Sequence, residues 1–431
     1  MKKIFIIISL FLASHARAQE TIYPAPPQTK PVAITNATIH VGNGQVINNG
    51  SIVFSNGKIE FVGATTPTNT NATVIDARGA HVYPALIMSA TQTGLHEIAS
   101  GVRGSEDRSE LGDFNPNVRS ISAYNVDSKI INVLRSNGIL LANVYPDGRL
   151  IGGTSSTVQF DAWNIEDAVY KNDVGIHFFM PSLLPPPERF RSLMAPGAPD
   201  PMQQAWEKIE NVKSFLRDAK AYNEKTNGTK NLILEATKPL FNGTKKLFVH
   251  CNTIKQMLLA IDLKKEFNID VTIVGGADSY MIADLLRSNN ISVILSQVHS
   301  LPVADYDDID QVFKTPAMLQ KAGVLFSITD EDGTTTGRNL AFNAGSAAAY
   351  GLSKEEALQS ITLNAAKILG IADRTGSLEA GKDANIVVSE GDILDPRSSK
   401  VMMAFIRGRQ VNLDDKHKQL FNKYKHKYQV R

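Results

Sequence analysis

Strands alternating with helices fill the middle of this 431-residue sequence and constrain its fold more than any other feature. Eight short apolar runs have the length and residue types of buried strands. They lie within residues 82–95, 139–145, 157–160, 175–180, 246–251, 271–274, 292–298 and 324–329. Helical patterns occupy most intervals between them, as in a parallel sheet with crossover helices. The pattern predicts an α/β chain with a (β/α)8 TIM-like barrel, since the open doubly wound alternative lacks a glycine fingerprint after an early strand.

Short alternating strands at both ends of the chain predict a smaller β-structure. Residues 32 to about 76 carry several such strands, and Asn56-Gly57 between two of them is a strong hairpin signal. Residues 401–411 give another hairpin, which turns through residues 407–409.

The first 18 residues have the features of a secretory signal peptide. Lys2 and Lys3 precede an apolar run at residues 4–13, and residues 16–18 form an A-x-A cleavage site. We therefore expect a mature N-terminus at Gln19 and a periplasmic location; the alternative is an N-terminal core helix. Residues 19–31 contain four prolines and are predicted to be an extended linker, and no later segment is long and apolar enough to span a membrane.

Charge and cysteine content narrow the function further. The 45 basic residues nearly balance the 43 acidic ones once the three basic residues of the signal peptide are removed. A near-neutral chain gives no support for nucleic acid as a partner, because that would require a basic field. The single cysteine, Cys251, cannot form an internal disulfide and is predicted to be a buried apolar residue.

Three stretches of the chain resemble the amidohydrolase superfamily. Residues 82–95 resemble its first barrel strand, in which Pro-Gly-Leu-Ile-Asp leads into a His-x-His metal pair. Residues 362–370 resemble its T-x-N-x-A-x-x-L-G run, and residues 376–388 resemble its GSLE-GKDADLVV signature. The resemblance runs from about residue 32 to residue 411 and is to exported, imidazolonepropionase-like members of the superfamily.

The resemblance implies a domain organisation. In that superfamily, strands of both chain ends pair into one β-sandwich beside the barrel. Residues 32–81 and 376–412 are therefore expected to form a composite β-sandwich, with a metal-dependent-hydrolase-like barrel over residues 82–375. The basic tail, residues 413–431, is predicted to be a solvated helix end or a frayed terminus, and a membrane-surface role is the alternative.

The resemblance also implies which residues carry chemistry. Amidohydrolases bind divalent metal through histidines of strands 1, 5 and 6, and the metal activates a bound water. An aspartate on strand 8 moves the proton from water to the leaving nitrogen. His250 matches the strand 5 ligand, and Asp330 matches the catalytic aspartate. Both also have structural interpretations, His250 as a hydrogen-bonded barrel histidine and Asp330 as the cap of the turn at residues 329–333.

The other ligand positions lack histidine. Ala90 and Gln92 stand at the two strand 1 positions, and Gly276 stands at the strand 6 position. A tight zinc site requires three protein ligands, so the sequence predicts one weakly bound divalent metal, such as zinc, or none.

Three further histidines are candidates for rebuilding the site at the barrel rim. His96 follows strand 1, His177 lies in strand 4, and His299 follows strand 7. Spacing alone does not show whether they converge on His250, and a structural role is the more common one for such residues.

Three hypotheses about function follow from the resemblance and its gaps. The first is a hydrolase that acts on a non-peptide carbon–nitrogen bond of a cyclic amide or dipeptide-like small molecule. The second is a pseudoenzyme that binds a periplasmic ligand without turnover, and the third is a docking subunit of an envelope assembly. Asp330 favours the first, whereas Ala90, Gln92 and Gly276 count against it. The sequence does not decide between a monomer and an oligomer.

Overall fold

The computed structural model describes residues 22–65, 71–97, 107–185, 199–224, 229–302 and 307–429. The predicted signal peptide, residues 1–18, lies outside them, and the linker is described from residue 22 onward. The linker contacts the rest of the fold, because the Ala25 backbone N–H donates to the Asp161 carboxylate at 3.1 Å. In the described part of the chain, no helix is both long enough and apolar enough to cross a membrane.

Two sheets of eight strands organise these residues. In chain order the strands are β1 (Val32–His40), β2 (Val46–Ser55), β3 (Lys58–Gly63), β4 (Thr73–Asp76), β5 (His81–Pro84), β6 (Leu86–Thr91), β7 (Ile139–Val144), β8 (Ile151–Gln159), β9 (Val169–Phe179), β10 (Lys246–Cys251), β11 (Val271–Gly275), β12 (Ser292–Leu295), β13 (Phe326–Ile328), β14 (Ile386–Ser389), β15 (Val401–Ile406) and β16 (Arg409–Gln410). Strands β1–β5 and β14–β16 form the terminal sheet, and β6–β13 form the barrel sheet.

Both ends of the chain contribute strands to the terminal sheet. β14 pairs antiparallel with β5, which places Val387 opposite Tyr83. β3 begins beside the segment that precedes β14, where the Ala384 N–H donates to the Gly57 carbonyl at 2.8 Å. The apolar core of this sheet also draws on both ends and includes Ile34, Ile39, Ile52, Phe54, Ile386 and Phe405.

The barrel sheet keeps its strands in chain order from β6 to β13. Its first and last strands meet through side chains. The Thr329 hydroxyl donates to the Ala90 carbonyl at 2.8 Å and accepts the Ala90 N–H at 3.2 Å. The Ser89 and Ser327 hydroxyls lie 2.8 Å apart. The barrel sheet is thus nearly closed, and the prediction of an α/β chain with an eight-stranded barrel is confirmed.

The predicted (β/α)8 pattern is corrected at its third strand. β8 runs antiparallel to both β7 and β9, whereas a (β/α)8 barrel is parallel throughout. Parallel neighbours need a crossover of a dozen or more residues. Residues 145–150 alone connect β7 to β8, and the connection to β9 contains only the short helix Ile165–Ala168. The chain therefore reverses by hairpins, and β8 begins at residue 151 rather than 157.

Helices surround the barrel and follow it. They are Lys129–Ser136, Ile165–Ala168, Pro201–Glu224, Leu232–Glu235, Lys238–Phe241, Ile254–Phe267, Ala283–Ser288, Gln311–Ala322, Leu340–Ala349, Lys354–Ser360, Leu363–Leu369 and Lys416–Tyr428, with short 3-10 turns at Ser120–Ser122, Ala277–Ile282 and Gly337–Asn339. The last helix lies in the predicted basic tail and has no buried residue.

The end of the barrel that carries the candidate site is called the barrel mouth below. It comprises the C-terminal ends of β6, β7 and β9–β13 together with the β7–β8 connection. Residues 107–119 run along the start of β8 at this end. The Ile151 N–H donates to the Asp113 carbonyl at 2.8 Å, and the Thr154 N–H donates to the Val118 carbonyl at 2.7 Å.

Two glycines of the terminal sheet yield a stability prediction. Gly408 has φ +73°, and a Cβ there would lie 2.3 Å from Gln28 Oε1. Gln28 cannot move freely, because it accepts the Gly57 N–H at 3.0 Å and donates to the Phe54 carbonyl at 3.0 Å. We expect Gly408→Ala to lower the free energy of unfolding by more than ~1 kcal/mol, which is the cost of a left-handed backbone alone.

Gly79→Ala is the matched control for this measurement. Gly79 has φ +84°, but a Cβ there would meet nothing within 4 Å, so its substitution costs only the backbone strain. Urea unfolding of both variants measures the difference. Equal losses at Gly79 and Gly408 would contradict the role assigned to the Gln28 contact.

Candidate functional site

Two histidines on neighbouring strands meet inside the barrel mouth. His177 on β9 is buried and His250 on β10 is half-buried, both among aromatic rings, and His177 Nδ1 lies 2.9 Å from His250 Nε2. The His177 ring stacks between Tyr145, at 4.7 Å, and Phe248, at 4.8 Å between centroids. Phe179 stacks on His250 at 4.3 Å. The predicted metal ligand His250 and the rim candidate His177 are therefore brought together.

Burial keeps this histidine pair neutral near pH 7. It lowers the pKa of His250 to about 4, against the opposing effect of the Glu331 and Asp147 charges. Burial, and then the neighbouring His250, hold the pKa of His177 well below its usual range. Only one hydrogen bond joins the two rings. His177 Nε2 is buried and has no hydrogen-bond partner among the described residues.

A carboxylate that the sequence analysis did not single out lies beside the pair. Glu331 accepts hydrogen bonds from the Tyr145 hydroxyl at 2.8 Å and from the Ser296 hydroxyl at 2.6 Å. The Tyr145 ring centroid lies 4.9 Å from that of His250. Burial, and then the Glu331 charge, raise the pKa of Tyr145 well above its usual value, so its hydroxyl stays a donor. The sequence signal for Glu331 was its position directly after Asp330.

Asp330 makes a different set of contacts. Its carboxylate accepts from the Thr336 hydroxyl at 2.8 Å and from the Asn343 amide at 3.4 Å. Asn343 belongs to the outer helix Leu340–Ala349, so these contacts tie the last barrel strand to that helix. Burial raises the pKa of Asp330 to about 6. The two adjacent carboxylates thus have different surroundings, since Asp330 bonds to the outer helix and Glu331 bonds to residues of the barrel mouth.

The other two rim candidates, His299 and His96, are not hydrogen-bonded to the pair. His299 Nε2 lies 2.7 Å from the Ser346 hydroxyl. His96 is buried, and its Nδ1 has no hydrogen-bond partner in the described ranges. Over those same ranges, no group of three or more His, Cys, Asp or Glu side chains is placed to hold a metal ion.

The positions without a ligand are built into the scaffold. Ala90 is fully buried at the barrel seam, and the Gln92 amide oxygen accepts from Arg108 at 3.4 Å. Gly276 has φ +62°, and a Cβ there would lie 2.8 Å from a Val293 methyl group. A histidine at position 276 would therefore require the barrel to shift. Two imidazoles that already bond to each other do not fit a tight zinc site, which needs three protein ligands.

A cavity of about 210 Å³ opens beside this cluster at the ends of β10, β11 and β12. Its lining includes Ser296, which bonds to Glu331, and the apolar residues Leu295 and Leu301. Gln297 also lines it, with a buried amide oxygen that has no hydrogen-bond partner in the part of the chain that is described. The cavity therefore combines apolar walls with a few polar groups, as small-molecule sites do.

The depressed histidine pKa values predict how stability changes with pH. A histidine whose pKa falls on folding binds its proton more readily in the unfolded chain. The stability it contributes is present above pH 6.5 and is lost as the pH falls toward about 4. His177→Phe preserves a ring between Tyr145 and Phe248 but removes one titrating group. We expect a smaller loss of unfolding free energy across this window than in the unmodified protein.

Urea unfolding at several pH values across the window measures this change. Asp330 contributes a slope of the opposite sign, because its raised pKa lowers stability as the pH rises from 3.8 to about 6. That contribution is the same in both proteins and cancels in the comparison. An unchanged pH dependence in the His177 variant would contradict the neutral state of the pair.

Sequence comparison relates the chain to a known family. Residues 224–414 match the sequence model of the Amidohydrolase family. The amidohydrolase tasK of Hapsidospora irregularis is 20% identical to the chain over 396 residues. That match covers 82% of this chain and 39% of the relative, so the chain spans about two fifths of the curated relative's length.

Solved structures share the fold. An amidohydrolase from Thermotoga maritima MSB8 superposes with a TM-score of 0.72 at 24% identity, covering 88% of this chain and 99% of that one. A Xaa-Pro dipeptidase with bound methionine in its active site gives 0.53 at 15% identity, covering 89% and 100%. At such identities the likeness concerns the fold. The chain is therefore similar to the amidohydrolase family over residues 224–414 and shares the fold of solved amidohydrolases.

Proposed function

We propose that the protein hydrolyses a carbon–nitrogen bond of a small cyclic amide or dipeptide-like molecule at the barrel mouth. The observation that carries the proposal is the Glu331 carboxylate, held by Tyr145 and Ser296 beside the His177–His250 pair. Active sites of barrel enzymes lie at this end of the strands. The adjacent cavity of about 210 Å³ has room for a small substrate group.

The chemistry assigned to the site is proton transfer to and from water. A carboxylate at the end of the last strand takes a proton from water as the water oxygen attacks the carbonyl carbon of the substrate. The carbon–nitrogen bond then breaks, and the proton passes to the leaving nitrogen. The resemblance indicates Asp330 for this role, whereas the hydrogen-bond contacts favour Glu331. Tyr145 and Ser296 would position Glu331, since each donates to one of its two oxygens.

Proline-containing dipeptides and cyclic amides are the first substrates to test. The solved Xaa-Pro dipeptidase shares the fold of this chain. Export to the periplasm, which residues 1–18 indicate, is part of the proposal and would expose the site to small molecules of that compartment.

The alternative function is ligand binding without turnover. The observation that favours it is the loss of ligands at Ala90, Gln92 and Gly276, which the scaffold accommodates by close packing. A protein of this kind would retain the cavity and the shared fold but would not convert its ligand. It would act as a periplasmic binding or assembly protein.

A pair of isosteric variants tests which carboxylate acts. Glu331→Gln is expected to lower hydrolysis at least ~100-fold, because an amide cannot accept the proton from water. Asp330→Asn alters the contacts with Thr336 and Asn343 and is expected to reduce thermal stability more than turnover. Release of free amine from a panel of Xaa-Pro dipeptides and lactams measures activity.

Each outcome of this experiment selects one interpretation. Loss of hydrolysis in Glu331→Gln with activity retained in Asp330→Asn supports Glu331 as the base. The reverse result supports Asp330, the residue that the family resemblance indicates. If both variants kept the activity of the unmodified protein, neither carboxylate would be the base. Absence of turnover in the unmodified protein, together with ligand-induced stabilisation, would favour the binding function.

Metal content provides a separate prediction. His250 and His177 are the two imidazoles that meet in the mouth, and two ligands hold a divalent metal only weakly. We expect less than one zinc ion per chain after dialysis, and no loss of fold when a chelator is added. Ala90→His combined with Gln92→His is expected to raise the zinc content.

His299→Ala is the control for this measurement, because its ring bonds to Ser346 away from the pair. It should leave the metal content unchanged. Elemental analysis gives the result for each protein. One firmly held metal ion per unmodified chain would contradict the prediction. It would mean that residues other than His177 and His250 also bind the metal.

A further inference from the structure

The last helix of the chain, Lys416–Tyr428, has an apolar face that nothing covers among the described residues. Phe421 is 67% exposed and Tyr428 is 64% exposed, and neither Leu420 nor Tyr424 is buried. No residue of the helix is buried, although the helix is regular over its whole length. Four large apolar side chains are therefore presented to solvent by one short helix.

Helical geometry gathers these side chains into one stripe. At 3.6 residues per turn, Leu420, Phe421, Tyr424 and Tyr428 fall within an arc of about 100°. The Tyr424 and Tyr428 rings stack with their centroids 6.3 Å apart, as neighbours on one face do. The stripe is thus continuous along the exposed part of the helix.

Lysines border the stripe on both sides. Residues 416–428 contain five lysines and no acidic residue. Lys416, Lys423 and Lys427 lie along one edge of the stripe, and Lys418 and Lys425 lie along the other. Long lysine side chains at such borders can keep their charges in water while their methylene groups cover apolar surface. An apolar stripe between two rows of cations is the pattern of a helix that lies in a lipid–water interface.

The base of the helix is fixed to the protein. Asp415 is buried, and its carboxylate accepts the backbone N–H groups of His417 and Lys418 at 2.8 and 3.0 Å. This N-cap sets the direction in which the helix leaves the fold. The helix is about 20 Å long, too short to span a bilayer, so it would lie on the surface.

We propose that helix Lys416–Tyr428 binds the protein to the surface of an anionic phospholipid membrane. Phe421, Tyr424 and Tyr428 insert at the level of the headgroups, and the bordering lysines contact lipid phosphates. The charge pattern favours lipid over a protein partner, because cations line both edges while the stripe between them is apolar. The proposal is independent of the hydrolytic function, since no residue of the helix belongs to the barrel mouth.

Vesicle flotation tests this proposal with the mature chain that begins at Gln19. The expected result is binding to phosphatidylcholine vesicles that contain phosphatidylglycerol, weak binding to phosphatidylcholine alone, and loss of binding as salt rises. Replacement of Phe421, Tyr424 and Tyr428 together by serine is expected to weaken binding at least tenfold. Lys423→Glu combined with Lys427→Glu should do the same for anionic vesicles.

Leu232→Ser is the matched control, because Leu232 is an equally exposed apolar residue on another helix. It should bind vesicles like the unmodified chain, and all variants should keep the same thermal unfolding profile. Equal vesicle binding by the aromatic triple variant would overturn the proposal. So would a dimer that the triple variant abolishes in the absence of any vesicle binding, since the stripe would then join two copies of the chain.

Discussion

Side-chain hydroxyl groups join the first and last barrel strands at the seam between β6 and β13, and the Thr329 hydroxyl makes two of these bonds. Thr329 bonds to both the carbonyl and the N–H of Ala90, which a regular strand ladder would satisfy with backbone groups. The two carboxylates of the candidate site follow this threonine directly. Their positions therefore depend on the seam, and so does the distance between the last strand and the histidine pair.

Burial then gives neighbouring residues different chemical roles. Asp330 points to an outer helix and is almost fully enclosed, which raises its pKa to about 6. Glu331 points to the mouth and is held by two hydroxyl donors. The same loss of solvent that raises the Asp330 pKa lowers those of His177 and His250. The mouth therefore presents the Glu331 carboxylate beside two uncharged imidazoles.

Much of this architecture could be read from the sequence. The strand and helix pattern predicted the barrel, and His250 was expected at the strand that carries it. The reversed β8 was missed because a short apolar strand has the same residue pattern in either direction, and only the lengths of the flanking connections distinguish them. Glu331 and Tyr145 were missed because their pairing joins residues 186 positions apart, and no local pattern encodes such a contact.

The reversal of β8 also changes how the mouth can vary. In a fully parallel barrel each of the eight strands sends its own loop to that end, and those loops diversify independently. Here β7 and β8 share one short hairpin there, so one independent loop is missing. Residues 107–119 occupy that side instead, joined to β8 by backbone bonds at Ile151 and Thr154. Insertions in this wall would have to preserve a strand pairing, which leaves the opposite rim, near the cavity at β10–β12, as the side freer to acquire new specificity.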